Sequence, residues 1–375
     1  MKPAKPLPLL KLLLFVAILF QSFTINAQRP ASNTLALVDK KMQQIPESLT
    51  TTTTDIAGFI NDNFSTDAEK SRAIYTWLAS NIRYDVESMN RKAVYERKEE
   101  LVLKPLRTRQ GICENYAALF DELSRKTGLR SYVISGYTRQ NGRIATLPHA
   151  WNAAQIDNKW YLFDATWGAG FVNNGRFHKK ISHDYFMMQP AVAIQSHMPF
   201  DYLWQFLDYP YTSREFYSGL SQQSTSKKSF SYADTLQLWE KQDHAERLAS
   251  SAYRIEKNGI ANTMVADRLK FIQTEIRHEN QKNTINMYNT AIVSYNDGIY
   301  SLNEYINQRN RLPANAKPGP GLLKLLDDAG RKLKESKYLT TKIVNPEPKI
   351  AKQIQNLQQS LAEAEAQVKR LRAKG

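Results

Sequence analysis

One change of hydrophobic period constrains this chain more than any other feature. From Cys113 onward the apolar residues Cys113, Tyr116, Ala117, Phe120 and Leu123 recur at the spacing of one helix face. Gly128 stands where such a helix stops. The period then changes to that of strands. Residues 131–138 alternate and are rich in β-formers, and residues 149–156 and 160–166 predict two more strands joined by a hairpin turn at Asp157 and Asn158. A helix followed by antiparallel strands is an α+β arrangement. Upstream, Thr66 and Glu69 form a capping-box pattern. It opens a helix with Ala73, Ile74, Trp77, Leu78 and Ile82 on one face. Residues 34–48 predict a further helix, residues 49–55, with five consecutive threonines, predict a loop, and the charged stretch 85–109 carries no clear pattern.

The character changes near residue 220. Residues 221–231 are rich in Ser, Gln and Lys and predict a linker. Beyond it the strand pattern disappears. Segments 234–257, 261–279 and 283–311 predict helices, with Asn258 and Gly259 as a break and residues 313–321 as an interruption. In the last stretch Ile350, Ile354, Leu357, Leu361, Ala364, Val368 and Leu371 alternate spacings of four and three, a heptad seam. That seam suits a coiled coil, a hairpin with an earlier helix, or an amphipathic helix folding back on its own domain.

The N-terminus predicts export. Lys2, Lys5 and Lys11 precede the apolar run 12–20, and the small residue Ala27 follows at a cleavage position, the order of a secretory signal peptide. The expected location is secreted or periplasmic, with no transmembrane segment after signal removal. The formal charge of +15 falls to +12 without residues 1–27, which hold three lysines and no acid. The excess suits a soluble protein with surplus surface lysine, and an anionic envelope polymer is the counterpart it would attract. Zinc-finger spacing and RNA-binding aromatic motifs are absent, so nucleic acid is not expected as a partner. Cys113 is the single cysteine, which excludes an internal disulfide.

Cys113 falls in the first turn of its predicted helix, where the partial positive charge of unpaired N–H groups favours a thiolate nucleophile. A histidine can take its proton and a carboxylate can hold that histidine. The hairpin offers both, His149 at the start of one strand and Asp164 near the end of the next. With a two-residue turn at Asp157 and Asn158, His149 faces Thr166. With a four-residue turn it faces Asp164 itself. Either register leaves imidazole and carboxylate on one face, because alternate strand residues share a face. The Cys113 backbone N–H is the natural first oxyanion donor. Gln110 is a candidate for the second, and Trp151 and Trp167 flank the triad as wall packing or as lining of a substrate groove. The spacings of His178, His183 and His197 fit no zinc pattern, so no metal is expected.

Three motifs then carry a resemblance. The segment Gly111-Ile112-Cys113-Glu114-Asn115-Tyr116-Ala117 resembles the nucleophile motif of the transglutaminase-like superfamily. His149-Ala150-Trp151-Asn152 resembles its histidine strand, and Trp160 through Asp164 to Gly168 resembles its aspartate strand. Glu69 to Trp77 and Ile82 to Asp85 are similar to the helix that precedes that core, and residues 183–206, which include His183 and His197, to a tail of the kyphoscoliosis-peptidase branch. The resemblance covers about residues 55–215. It implies a papain-like α+β core at 28–220, with Cys113, His149 and Asp164 as catalytic triad. The linker 221–231 and a helical region at 232–375, expected to form a separate domain, would follow. The implied reaction is thiol-based acyl transfer on a peptide or protein amide, through a thioester acyl-enzyme and without a cofactor. Hydrolysis is the first expectation, and transamidation or a non-catalytic scaffold role in the cell envelope are the alternatives.

Overall fold

The computed structural model describes residues 32–89, 99–219, 227–313 and 315–374. The expected signal peptide, residues 1–27, lies outside them, as does part of the expected linker, residues 221–226. Helices α1 (Ser32–Met42), α2 (Thr53–Asn63) and α3 (Asp67–Asn81) come first, then strand β1 (Arg83–Tyr84), α4 (Glu100–Thr108) and β2 (Gln110–Gly111). Helix α5 (Cys113–Lys126) follows, and with it the sheet strands β3 (Ser131–Gln140), β4 (Arg143–Ile144), β5 (His149–Ile156) and β6 (Lys159–Phe163). A short helix α6 (Ala165–Ala169), the hairpin β7 (Gly170–Asn173) and β8 (Arg176–Lys179), α7 (Pro190–Ala193), β9 (His197–Pro199) and α8 (Ser213–Ser218) complete this half. The rest is helical: α9 (Tyr232–Lys241), α10 (His244–Asn258), α11 (Thr263–Arg309), α12 (Pro320–Lys342) and α13 (Pro348–Ala373).

The α+β expectation holds. Strands β4, β3, β5 and β6 lie in that order in an antiparallel sheet, and β9 adds to β3. The hairpin takes the two-residue turn. Gln155 pairs with Trp160 and Ile156 with Lys159, while Asp157 and Asn158 both adopt positive φ, as a type I′ turn requires. The capping box forms as read, with Thr66 Oγ1 accepting from Glu69 N at 3.2 Å. Helix α3 is buried along most of its length: Ala73, Ile74, Tyr75, Trp77 and Leu78 are each 0 % exposed, and they pack with Tyr116 and Phe120 of α5 and Phe163 of β6.

Four local readings differ from what forms. The threonine run hides a helix start, because Thr52 caps α2 by accepting from Asp55 N at 3.1 Å while Ile56, Ala57 and Ile60 turn inward. Strand β6 stops at Phe163 rather than 166, since Asp164 caps α6. The first C-terminal helix is split, because Asp243 and Glu246 form a capping box that opens α10. Conversely, α11 runs unbroken through residues 280–282. That stretch lacks an apolar stripe because it lies mostly in solvent between two packed ends, and a polar bridging segment needs none.

The packing runs past the boundary expected at 221–231. Leu236 and Trp239 of α9 pack with Trp160, Leu203 and Phe206. Ile255 of α10 and Val265, Leu269 and Ile272 of α11 pack with Tyr137, Met198, Phe200 and Phe216. Arg254 donates through Nε and Nη2 to the two oxygens of Asp201 at 2.7 and 2.8 Å, with both side chains buried. The far half of α11 joins α12 and α13 in a separate cluster, and there the heptad residues Ile354, Leu357, Leu361, Ala364 and Val368 are buried. The seam is thus covered within the chain. A chain ending at 219 loses several buried aliphatic side chains, each worth about 1.5–3 kcal/mol, and strands the buried Asp201 charge. We predict a melting temperature at least roughly 10 °C lower, or insolubility. A chain ending near 280 should melt close to the full protein, as thermal unfolding of both truncations will show.

Candidate active site

The nucleophile candidate is set by the turn before α5. Asn115 Oδ1 accepts from Ile112 N at 3.0 Å, and its Nδ2 donates to Leu101 O at 3.0 Å. A Cβ at Gly111 would sit 2.7 Å from Asn115 Cβ, so only glycine lets this side chain reach back under the turn. Cys113 then occupies the first helical position and is partly exposed. Its N–H points out of the helix start, where no intrahelical acceptor exists.

The sheet brings the other groups to it. Asn152 of β5, 1 % exposed, donates to Ala117 O of α5 at 2.9 Å and fixes the strand against the helix that carries Cys113. His149 opens β5, and its Nε2–H donates to Asp164 Oδ2 at 2.7 Å. The same imidazole lies close enough to Cys113 for the thiol to act on it. With Nε2 engaged by the carboxylate, Nδ1 is the nitrogen left for sulfur. Asp164 is 1 % exposed, and its Oδ1 accepts from Trp167 N at 3.0 Å. The end of β6 and the cap of α6 therefore hold one side chain.

A fourth residue joins them. His197 of β9, with a side chain 0 % exposed, donates from Nε2 to the same Asp164 Oδ2 at 3.0 Å. Its Nδ1 lies 2.8 Å from Ser196 Oγ, which donates to it. The resemblance places His197 with His183 in the tail of a branch. His183 instead lies 3.9 Å from Asp39, and His178 stacks on Phe171, so the three do not meet. The one signal for His197 was its place in a short apolar strand. Its pairing across β3 with Thr138 is non-local and carries no sequence mark. His149, Asp164 and His197 do present ligand-type atoms within 4.8 Å of one another. Their N···O separations are those of hydrogen bonds, with both donors on one oxygen.

Electrostatics separates the two imidazoles. Burial pushes the His149 imidazolium down, but the Asp164 charge and hydrogen bond, helped by Cys113, more than offset this and hold it up at about 10. His197 is pushed below 6.5 by burial, only partly restored by Asp164, so it stays neutral. Burial pushes Asp164 up, and the two histidines pull it well below the usual carboxylate range. Tyr84 of β1 is raised by burial and, less, by the charges of Cys113, Asp164 and Asp85, and keeps its proton.

Of the remaining candidates, Trp151 is 2 % exposed and lies 6.0 Å from the His149 ring and 5.1 Å from that of His197. It packs behind the site and offers no surface to a groove. Gly136 makes room for it, since a Cβ there would fall 2.5 Å from the indole. Trp167 is partly exposed and stacks on His149 at 5.5 Å, so it faces the site from the open side. Gln110 is exposed on β2, three residues before Cys113.

Residues 54–165 match the family model of the transglutaminase-like superfamily, a span that contains Cys113, His149 and Asp164. These residues are a transglutaminase-like core. Human kyphoscoliosis peptidase is 33% identical over 170 residues, which cover 42% of this chain and 25% of that protein. Hillarin of Drosophila melanogaster is 26% identical over 201 residues, covering 48% of this chain and 24% of its own length. The chain thus spans about a quarter of the length of the curated relatives it matches. The crystal structure of a TGase superposes with a TM-score of 0.29 at 15% identity, over 60% of this chain and 51% of that one. The transglutaminase-like core is the fold of papain-like cysteine enzymes. His197 lies beyond the matched span.

Replacing His197 with Leu removes one of two donors to Asp164 Oδ2. A hydrogen bond to a buried charge is worth enough that alkylation of Cys113 by iodoacetamide should slow roughly ten- to a hundredfold near neutral pH. Unchanged alkylation across the pH range would make His197 a packing residue only.

Proposed function

We propose that this protein is an exported cysteine hydrolase of peptide or protein amides that uses Cys113, His149 and Asp164 as its triad. One observation carries the reading: a single imidazole bonds a buried carboxylate and lies within the influence of the chain's one thiol, which stands at a helix start. Cys113 Sγ attacks the amide carbonyl, and the oxyanion forms beside the Cys113 N–H. His149, held as the imidazolium, gives its proton to the departing amine. Water then attacks the thioester, with the now neutral His149 as base, and frees the acid. Asp164 stays ionised throughout and stabilises the imidazolium. Hydrolysis is preferred to amine transfer because water needs no dedicated channel, and the likeness to a peptidase supports it.

Export rests on the N-terminal basic and apolar pattern, and the periplasm or cell exterior is the proposed location. An anionic envelope polymer is the proposed contact of the basic helical region, whose last turn carries Arg370 and Arg372. Arg268 of α11 lies within electrostatic range of Glu114, the residue after Cys113.

The test is to incubate the mature chain with a mixture of unfolded proteins and a fluorescent primary amine. The expected products are shorter peptides with new carboxyl ends, lost completely in Cys113→Ala. Asp164→Asn should lower turnover by on the order of a thousandfold, because the imidazole tautomer and charge are no longer fixed. Amine incorporation exceeding hydrolysis would replace this reading with transamidation, and full activity of Asp164→Asn would remove the triad.

A further inference from the structure

Two indoles lie beside the His149 imidazole with their planes close to its own. Trp151 follows His149 by two positions on β5, so the two side chains leave the same face of the strand. Their ring centres are 6.0 Å apart and their planes 26° apart. Trp167 of α6 lies nearer, at 5.5 Å and 30°. The same indoles meet His197 differently, Trp151 at 75° and Trp167 at 54°. Near-parallel stacking is thus kept for the imidazole that carries charge. In the plane of that ring Nε2 is already taken by Asp164, which leaves the ring face as the surface a neighbour can meet.

The fold holds Trp167 to this place. Its backbone N–H donates to Asp164 Oδ1 at 3.0 Å, so one residue serves the carboxylate through its backbone and the imidazole through its ring. The next residue, Gly168, lies so close to α3 that a Cβ there would fall 2.0 Å from Tyr75 Oη, and that hydroxyl donates to Ser182 O at 2.7 Å. Tyr185 meets the Trp167 ring edge-on at 5.3 Å. An indole face is electron-rich and attracts a cation whose centre lies within about 6 Å of it.

We propose that Trp167 is a positioning residue of the triad, whose indole face, together with that of Trp151, holds His149 as the imidazolium. This deepens the triad reading and rests on it. The other groups that act on His149 are Asp164, Cys113 of α5 and the neutral His197 of β9, while Tyr84 and Tyr185, both raised by burial, keep their protons. Trp167→Leu alters none of these groups. It also keeps the backbone donor to Asp164 and an apolar cover, and removes the aromatic face alone. Trp167 is partly exposed, whereas Trp151 is 2 % exposed and would leave a cavity.

The experiment follows the His149 ring with pH in full-length protein labelled with nitrogen-15 in its histidines. The signal is assigned by its loss in His149→Gln. Trp167→Leu should lower the protonation midpoint by roughly one pH unit, and Trp167→Phe, which keeps a weaker aromatic face, by less. Should the leucine variant fail to fold, wild-type protein carrying 5-fluorotryptophan gives the same reading. Fluorine withdraws charge from the indole face at nearly constant shape, and the midpoint should then fall by roughly a few tenths of a pH unit. A midpoint that stays or rises in folded Trp167→Leu overturns the inference and leaves Trp167 as cover only. If Asp164→Asn also fails to move the midpoint, the triad reading falls with it. A lowered midpoint in Asp164→Asn beside an unmoved one in Trp167→Leu removes the role of the indole alone.

Discussion

The carboxylate of Asp164 is the charge around which the core is arranged. It is buried, and a buried carboxylate is tolerated only when donors surround it. Two imidazoles and a backbone N–H do so, arriving from β5, β9 and the first turn of α6. Each element is then fixed by something else: β5 to α5 through Asn152, β9 to β3 through its ladder, and α6 by the close of β6. The single carboxylate therefore ties sheet, helix α5 and tail segment into one arrangement. It divides two chemically identical side chains into different states, because its charge and hydrogen bond hold the His149 imidazolium up, whereas burial and the neighbouring His149 keep His197 neutral.

Much of this was legible because it is local. The Thr66 and Glu69 capping box, the helix at Cys113 and the Asp157-Asn158 hairpin each depend on residues a few positions apart. The hairpin alone brings His149 and Asp164 to neighbouring positions at one end of the sheet. What stayed hidden was non-local. The pairing of β9 with β3 is set by packing over the sheet, so His197 could not be matched with Asp164 from spacing alone. Strand β6 ends early for a local reason, since an aspartate near a strand end and one capping a helix look alike in sequence.

The helical half shows the same limit at larger scale. A Ser- and Lys-rich stretch followed by helices invites a boundary, yet helices α9 and α10 and the start of α11 complete the core on the β3 and β9 side. The polar middle of α11 then acts as a strut to a distinct three-helix cluster. The heptad seam identified a packed helix correctly but could not say which helices cover it. A periodic stripe reports that a face is buried and says nothing of its partner.

The central claim is that Asp164 keeps His149 charged beside the thiol. Nitrogen-15 NMR of histidine-labelled full-length protein tests it by following the His149 ring with pH. The account predicts that His149 remains an imidazolium far above the ordinary 6.5 and loses its proton only near pH 10. In linkage terms the folded state holds this proton more tightly than the unfolded chain does. The stabilisation is therefore complete below 6.5 and fades as pH rises toward 10. Asp164, held below its ordinary 3.8, keeps its contribution above that value and loses it as pH falls further. His149 titrating at or below 6.5 in the wild-type protein, with the same midpoint in Asp164→Asn, would contradict the account.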